Sequence, residues 1–425
     1  MAADRHSDPR DAIDAVWRIE SARLIAGLVR VVRDIGVAEE LAQDALVAAL
    51  EEWPASGVPA NPGAWLMATA KRRAIDYLRR KKVFARKQEE IVRDAESGRA
   101  DTVSELDAAL GDDVGDDLLR LIFMACHPLL STEARVALTL RLVAGLTTDE
   151  IARAFLVAET TIAQRIVRAK RTLSDAQVPF EVPRGPELTV RLASVLEVIY
   201  LVFNEGYTAT SGAEWMRPTL CEEALRLGRI LAELAPAEPE VHGLVSLLEI
   251  QASRLRARTS PTGDPILLLD QKRAAWDQLL ICRGLAALAR AESLGQERGP
   301  YALQASIAAC HARARTAEET NWAQIAELYA ELAQRTPNPV IELNRAVALS
   351  MAYGPAAGLA IVDALRSEPA LATYHLLPGV RGDFLAKLGR LEEARAEFER
   401  AASLTRNKRE QVLLLKRAAD CTPSC

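Results

Sequence analysis

The segment LTTDEIARAFLVAETTIAQRIVRAKRTL, residues 146–173, constrains the fold more than any other stretch of the chain. Thr147 and Glu150 stand at the three-residue spacing of a capping box, in which hydroxyl and carboxylate each satisfy a backbone N–H at a helix start. Ile151, Ala152 and Phe155 then supply an inward face, and the break at 156–158 has the length of a tight turn. Past it, Ile162, Ile166, Ala169 and Leu173 recur at three- and four-residue spacing, the buried stripe of a second helix. The opposite face carries Thr161, Gln164, Arg165, Arg168 and Arg171, with Thr160 in the first turn. Arg can hydrogen-bond a guanine edge in two places, Gln does the same to adenine, and Thr and Arg hold phosphates. The pattern favours a helix-turn-helix over its plain alternative, a helical hairpin with a solvated cationic face.

The rest of the chain also reads as helix. Ala, Leu, Arg and Glu dominate and only 5% of residues are aromatic, which predicts an all-α fold. A length of 425 residues allows two to four domains, and 49% hydrophobic with 26% charged residues describes a globular protein. Punctuation and charge divide it into residues 10–82, an acidic connector at 83–115, a second helical unit at 116–178, and helix pairs over 185–425 after the break PFEVPRGPE. A net charge of -5 excludes only a uniformly basic nucleic-acid binder, and the distribution is lopsided. Lys71 to Lys87 holds nine Lys or Arg against one Asp, whereas Glu89 to Asp117 holds eleven acidic residues against two Arg. A basic block followed at once by an acidic one suggests a nucleic-acid face beside a linker that screens it or repels DNA.

The basic block continues the segment NPGAWLMATAKRRAIDYLRRKK, 61–82, which begins with Pro62 near a helix N-terminus and has no later breaker. Trp65, Leu66, Thr69, Ile75 and Leu78 form its apolar seam, while Lys71, Arg72, Arg73, Arg79, Arg80 and Lys81 charge the remaining surface. Trp65 reads either as core or as a platform for an unstacked base. Upstream, VAEELAQDALVAALEEW, 37–53, is an amphipathic helix with Glu39, Glu40, Gln43 and Asp44 clustered at its start.

In this order and spacing, the two units resemble regions two and four of the extracytoplasmic-function sigma factors of bacterial RNA polymerase. The resemblance implies that Glu39, Glu40, Gln43 and Asp44 face the clamp coiled coil of core RNA polymerase. It implies that Trp65, Lys71, Arg72, Arg73, Arg79, Arg80 and Lys81 read and open the −10 promoter element. Thr160, Thr161, Gln164, Arg165, Arg168 and Arg171 would face the −35 element. IYLVFNEGYTAT (199–210), LCEEALRLGRIL (220–231), GPYALQASIAACHA (299–312) and PVIELNRAVA (339–348) look like the C-terminal extension of one subgroup, which is TPR-like and implicated in control of the factor. Two positions depart from the family: Arg72 where Asn is common, and Ala163 where a basic residue often stands. Both bear on the promoter sequence, not on the class of activity.

In the C-terminal half, Gly389, Ala394, Phe398 and Ala401 have the spacing of a TPR unit, and Gly354 precedes Gly389 by 35 residues. Stacked helix pairs of this kind offer a surface to a protein or peptide partner. Asn204, Glu205 and Tyr207 in FNEGY lack a companion acid, base or nucleophile and read as a structural turn with Gly206 at positive φ. Cys126 and His127, being adjacent, cannot complete a tetrahedral metal site, and His127-Pro128 is expected to end one helix before Ser131 caps the next. The six cysteines read as reduced thiols of a cytoplasmic protein, with a labile Cys421–Cys425 disulfide the minor alternative. The longest uncharged stretch, 346–362, is interrupted by Gly354-Pro355, so no membrane span is expected. Neither a cofactor nor an enzymatic activity of the chain's own is expected. The competing classes are a polymerase-independent helix-turn-helix regulator and a TPR scaffold that has lost DNA function.

Overall fold

The computed structural model describes residues 9–90, 114–155, 157–208, 211–212, 216–261, 264–295 and 297–421. The fold is helical, with eighteen α-helices among the described residues. The strands there are β1 (Ser211–Gly212) and β2 (Arg406–Asn407), which run parallel, and an isolated antiparallel bridge joins Thr259 to Pro265. The chain forms two compact units, Met1–Val198 and Ile199–Cys425.

The first unit begins with α1 (Pro9–Val32), α2 (Ile35–Ser56) and α3 (Pro62–Glu90). Leu24, Ile25, Leu28 and Val29 of α1 are buried with Ala38, Ala42, Ala45 and Ala49 of α2 and with Leu66, Ala70 and Ala74 of α3. Alanine at every fourth or third position leaves α2 smooth enough for close helix approach. Asp34 caps α2, its Oδ1 accepting from the N–H groups of Gly36 and Val37 at 2.8 and 3.0 Å. Asn61 caps α3 in the same way, accepting from Ala64 N at 3.1 Å.

The α3 helix runs to Glu90, past the boundary expected at residue 82, because VFARKQEE contains good helix formers and no breaker. The remainder of the acidic connector, residues 91–113, lies outside the described residues.

Next come α4 (Val114–Ala125), α5 (Thr132–Leu142), α6 (Thr148–Phe155) and α7 (Glu159–Asp175). Ser131 caps α5 as expected, its Oγ accepting from Ala134 N at 3.3 Å. The helix α8 (Pro186–Tyr207) opens within this unit. Arg191 donates to Phe123 O at 2.9 Å, and Ser194 donates to Cys126 O at 2.6 Å. The first compact unit continues through residues 179–187 and ends inside α8.

The second unit holds α9 (Pro218–Leu234), α10 (Pro239–Ala252), α11 (Gln278–Leu294), α12 (Pro300–Arg313), α13 (Trp322–Arg335), α14 (Pro339–Tyr353), α15 (Pro355–Leu365), α16 (Leu376–Lys387), α17 (Leu391–Leu404) and α18 (Lys408–Asp420). Five of these start on proline, whose missing N–H is an orphan at a first helical position in any case. Consecutive helices from α13 to α18 pack on one another. Leu343, Leu359, Phe384, Phe398 and Leu414 form one core, and Leu303, Ile325, Leu328 and Leu332 another. Gly354 and Gly389 turn the chain between α14 and α15 and between α16 and α17, at φ +99° and +78°.

Candidate nucleic-acid interface

The helix-turn-helix assembles as its local chemistry dictates. The Thr147 hydroxyl accepts from Glu150 N at 3.1 Å, and Glu150 Oε2 accepts from Thr147 N at 2.8 Å, closing the reciprocal capping box of α6. Thr148 Oγ1 donates to Glu159 Oε1 at 3.1 Å, tying the start of α6 to the start of α7. Ile151 and Ala152 are buried, as are Ile162, Ile166, Ala169 and Leu173 of α7. The outward face of α7 is free of that core. Thr160, Gln164, Arg168 and Arg171 are exposed, and Thr161 and Arg165 are half-buried. Arg171 pairs with Asp175 at 3.5 Å, in solvent. Val167, 64% exposed, lies among these polar groups, an apolar position that charge-based reading overlooks. Its three-residue step from Gln164 was the available signal.

On α3, the basic residues divide between free and engaged. Arg80 and Lys81 are exposed, and Arg79 lies 3.9 Å from Asp76. Arg72 folds back on its own helix, donating to Thr69 Oγ1 at 3.3 Å and Ala68 O at 3.4 Å. Lys71 is half-buried. Arg73 pairs with Asp44 of α2 at 3.1 Å, so one residue expected at DNA and one expected at a protein partner hold each other. Trp65 is half-buried and meets Trp53 edge-on, with ring centres 5.2 Å apart at 67°. That places part of the ring in the core and leaves part at the surface.

The acidic start of α2 is not uniformly a surface. Glu40 and Asp44 are exposed and Gln43 is half-buried, but the Glu39 side chain is only 6% exposed. Its carboxylate accepts from Arg141 Nε of α5 at 2.7 Å, from Gln43 Nε2 at 2.9 Å and from Lys170 Nζ of α7. Ser174 of α7 also donates to Asp34 Oδ2 at 3.2 Å. Glu39 is therefore buried inside the first unit, where it neutralises two cations. Val47 and Leu50, exposed on the same helix, share the solvent side with Glu40 and Asp44.

The remaining polar candidates are structural. Gly206 does not take a positive φ: it lies within α8 and marks a close approach. A Cβ there would sit 2.7 Å from Cys221 N and 2.9 Å from Arg217 O. Glu205 pairs with Arg217, and Tyr207 stacks on Phe203 with ring centres 5.5 Å apart. Cys126 is buried against the Thr139 hydroxyl, and burial pushes its thiol up to about 11, which makes it unreactive. His127 Nδ1 accepts from Leu129 N at 3.2 Å, and burial lowers its imidazole below the ordinary value. Among the described residues no cluster of His, Cys, Asp or Glu is arranged to hold a metal, and no helix is long and apolar enough to cross a membrane. Cys421 is a buried free thiol, and Cys425 lies outside the described residues.

Comparison with known proteins converges on the same segments. Residues 19–83 match Sigma-70 region 2, and residues 120–173 match Sigma-70, region 4. Residues 191–292 match a family of unknown function, DUF6596. An uncharacterised protein of Rhizobium meliloti (strain 1021) is 43% identical over 391 residues, covering 92% of this chain and 91% of that protein. A probable ECF RNA polymerase sigma factor of Mycobacterium tuberculosis, SigI, is 28% identical over 186 residues, 44% of this chain and 62% of that protein.

Proposed function

The chain belongs to the ECF-like sigma factors that carry a C-terminal extension and acts in transcription initiation, and from that premise we infer how its residues divide the work. Promoter DNA and core RNA polymerase are the partners that regions 2 and 4 imply. The observation that carries the reading is that both regions lie in one compact unit with cationic groups exposed on α3 and on α7.

In this reading α7 enters the major groove of the −35 element. Gln164, Arg165 and Arg168 meet base edges, Thr160, Thr161 and Arg171 hold phosphates, and Val167 suits a thymine methyl. Arg79, Arg80 and Lys81 of α3 hold phosphates at the −10 element, with Trp65, Lys71, Arg72 and Arg73 beside the opened strand. Arg73 must leave Asp44 to do so, and an exposed pair of this kind is worth only about 0–1 kcal/mol. Glu40, Gln43 and Asp44, with Val47 and Leu50, form the core-polymerase face. Glu39 joins them only after parting from Arg141 and Lys170. Nucleotidyl transfer belongs to the polymerase; this chain supplies recognition and no catalysis of its own.

The second unit is read as a TPR-like regulatory extension with a protein or peptide partner. The two glycine turns 35 residues apart and the buried Ala394, Phe398 and Ala401 support it. Transcription in vitro with core polymerase tests the whole assignment. The full chain is expected to direct initiation from a defined promoter, and Glu40→Lys with Asp44→Lys to abolish it. Specific binding to that promoter without core enzyme would instead identify a free-standing helix-turn-helix regulator.

A further inference from the structure

The second unit gathers three arginines on two aromatic rings, and promoter recognition uses none of them. Arg254 is 7% exposed, with its guanidinium 5.9 Å from the centre of the Tyr207 ring and 5.2 Å from that of Trp276. It donates to two neutral amides, Gln251 Oε1 at 3.0 Å and Gln271 Oε1 at 3.4 Å. Arg258 lies 3.6 Å over Tyr207 and donates to Tyr207 O and Thr208 Oγ1, each at 3.0 Å. Arg273 lies 4.1 Å over Trp276 and donates to His311 O at 2.6 Å and Thr320 Oγ1 at 3.4 Å.

These charges work against one another. Burial first, and Arg258 after it, lowers Arg254 from the ordinary guanidinium value. Burial and then Arg254 lower Arg273, with the exposed Glu318 opposing them. Several buried polar atoms nearby have no hydrogen-bond partner: Arg273 Nε, Trp276 Nε1 and His311 Nδ1. Unsatisfied polar atoms beside repelling cations are costly, and an anion placed near the cluster would offset the repulsion.

A cleft of about 330 Å³ opens beside this cluster, lined by Arg273, Trp276, Gln278, Ile281, Arg313 and Arg315. No acidic residue among the described residues lines it. Nearby, Glu319 accepts from Arg315 N at 3.0 Å and so is engaged by the backbone. The volume suits a metabolite, at the small end of ligand sites. Guanidinium forks match the paired oxygens of phosphoryl and carboxylate groups.

We propose that this cleft binds a small-molecule oxyanion carrying at least two negative charges, held by Arg273, Arg313 and Arg315 against the wall formed by Trp276. The buried Arg254 and Arg258 supply a fixed positive field behind it.

Isothermal titration calorimetry on the full chain, without polymerase or DNA, tests this with inorganic phosphate, pyrophosphate and citrate at constant ionic strength. Saturable one-to-one binding is expected, and the comparison of pyrophosphate with citrate tells a phosphoryl ligand from a carboxylate one. Arg273→Gln should weaken binding about tenfold or more. Because Arg273 also packs on Trp276, the double variant Arg313→Gln/Arg315→Gln, altered only at exposed positions, is the second measure and should weaken binding likewise. Absence of saturable binding by all three anions overturns the proposal, as does parental affinity in the double variant. The arginines would then serve only to pack on Tyr207 and Trp276. Neither result bears on the sigma reading, since no core enzyme or promoter is present.

Discussion

Replacing Glu39 by glutamine keeps the shape of the side chain and removes the charge on which Arg141 and Lys170 converge. Taking the anion out of a buried pair costs about 3–5 kcal/mol, because the cation left behind is neither solvated nor neutralised. Here the two cations keep 21% and 20% of their side-chain surface in water, and Arg141 also donates to Leu146 O at 3.2 Å. Both features reduce the penalty, to about 2–3 kcal/mol. In a unit ending at Val198, that corresponds to a fall in Tm of roughly 4–12 °C. A thermal melt of the full chain measures the loss, and hydrogen exchange read by mass spectrometry locates it. Amides of α7 and of the first turns of α2 should lose protection, while those of the second unit keep theirs. Glu40→Gln, one residue on and exposed, is the control and should stay within about 0.5 kcal/mol of the parent. Parental exchange in α7 of the Glu39→Gln protein would refute the reasoning, and so would an equal loss in the control.

Gly206→Ala should destabilise the protein by about 1–3 kcal/mol, because the new methyl lands on the backbone of Cys221 and Arg217; an unchanged urea midpoint would exclude that close approach. His311 is driven down to about 3 by burial and then by Arg254 and Arg273, so the folded chain refuses a proton that the unfolded chain accepts near pH 6.5. Stability therefore falls as pH drops from 6.5 towards 3, with a slope approaching about 1.4 kcal/mol per pH unit. His311→Gln should flatten that part of the acid limb in urea titrations, and an unaltered limb would assign the slope to other groups. Arg165→Ala should cost about 1–3 kcal/mol in holoenzyme binding to the −35 element if the side chain reads a base, and unchanged promoter selection would remove it from the readout set.

What could be read from the sequence was what local spacing determines. The capping box of α6 joins residues three apart, and the stripe of α7 repeats every three or four, so both could be placed without knowing the rest of the fold. Glu39 could not be read this way. It belongs to the same acidic run as Glu40 and Asp44, yet its partners Arg141 and Lys170 lie 102 and 131 residues away in the chain. Gly206 shows a second kind of limit. A glycine in a polar run suggests a turn, but here its lack of a side chain serves a neighbouring segment, Arg217 to Cys221, whose approach no local pattern announces. The arginine cluster of the second unit is a third case. It draws Arg254, Arg258 and Arg273 from two short 3-10 turns and their caps and sets them on Tyr207 and Trp276, with no periodicity to betray the grouping. The end of α3 at Glu90 was missed because the charge composition changes there before the helix propensity does.

The hold of Lys170 on Glu39 sets a length scale. In the proposed assignment α7 and α3 serve elements whose names place them about 25 base pairs apart, roughly 85 Å along a straight duplex. In that assignment a closed Lys170–Glu39 pair holds α7 beside α2 and limits how far α7 reaches from α3. With the pair closed the chain would, in the same assignment, address one element at a time, and opening along the α2–α7 seam would let it address both. Discrimination between free DNA and polymerase-bound promoter would then be a matter of reach: the core enzyme acts as the ruler that the free chain lacks.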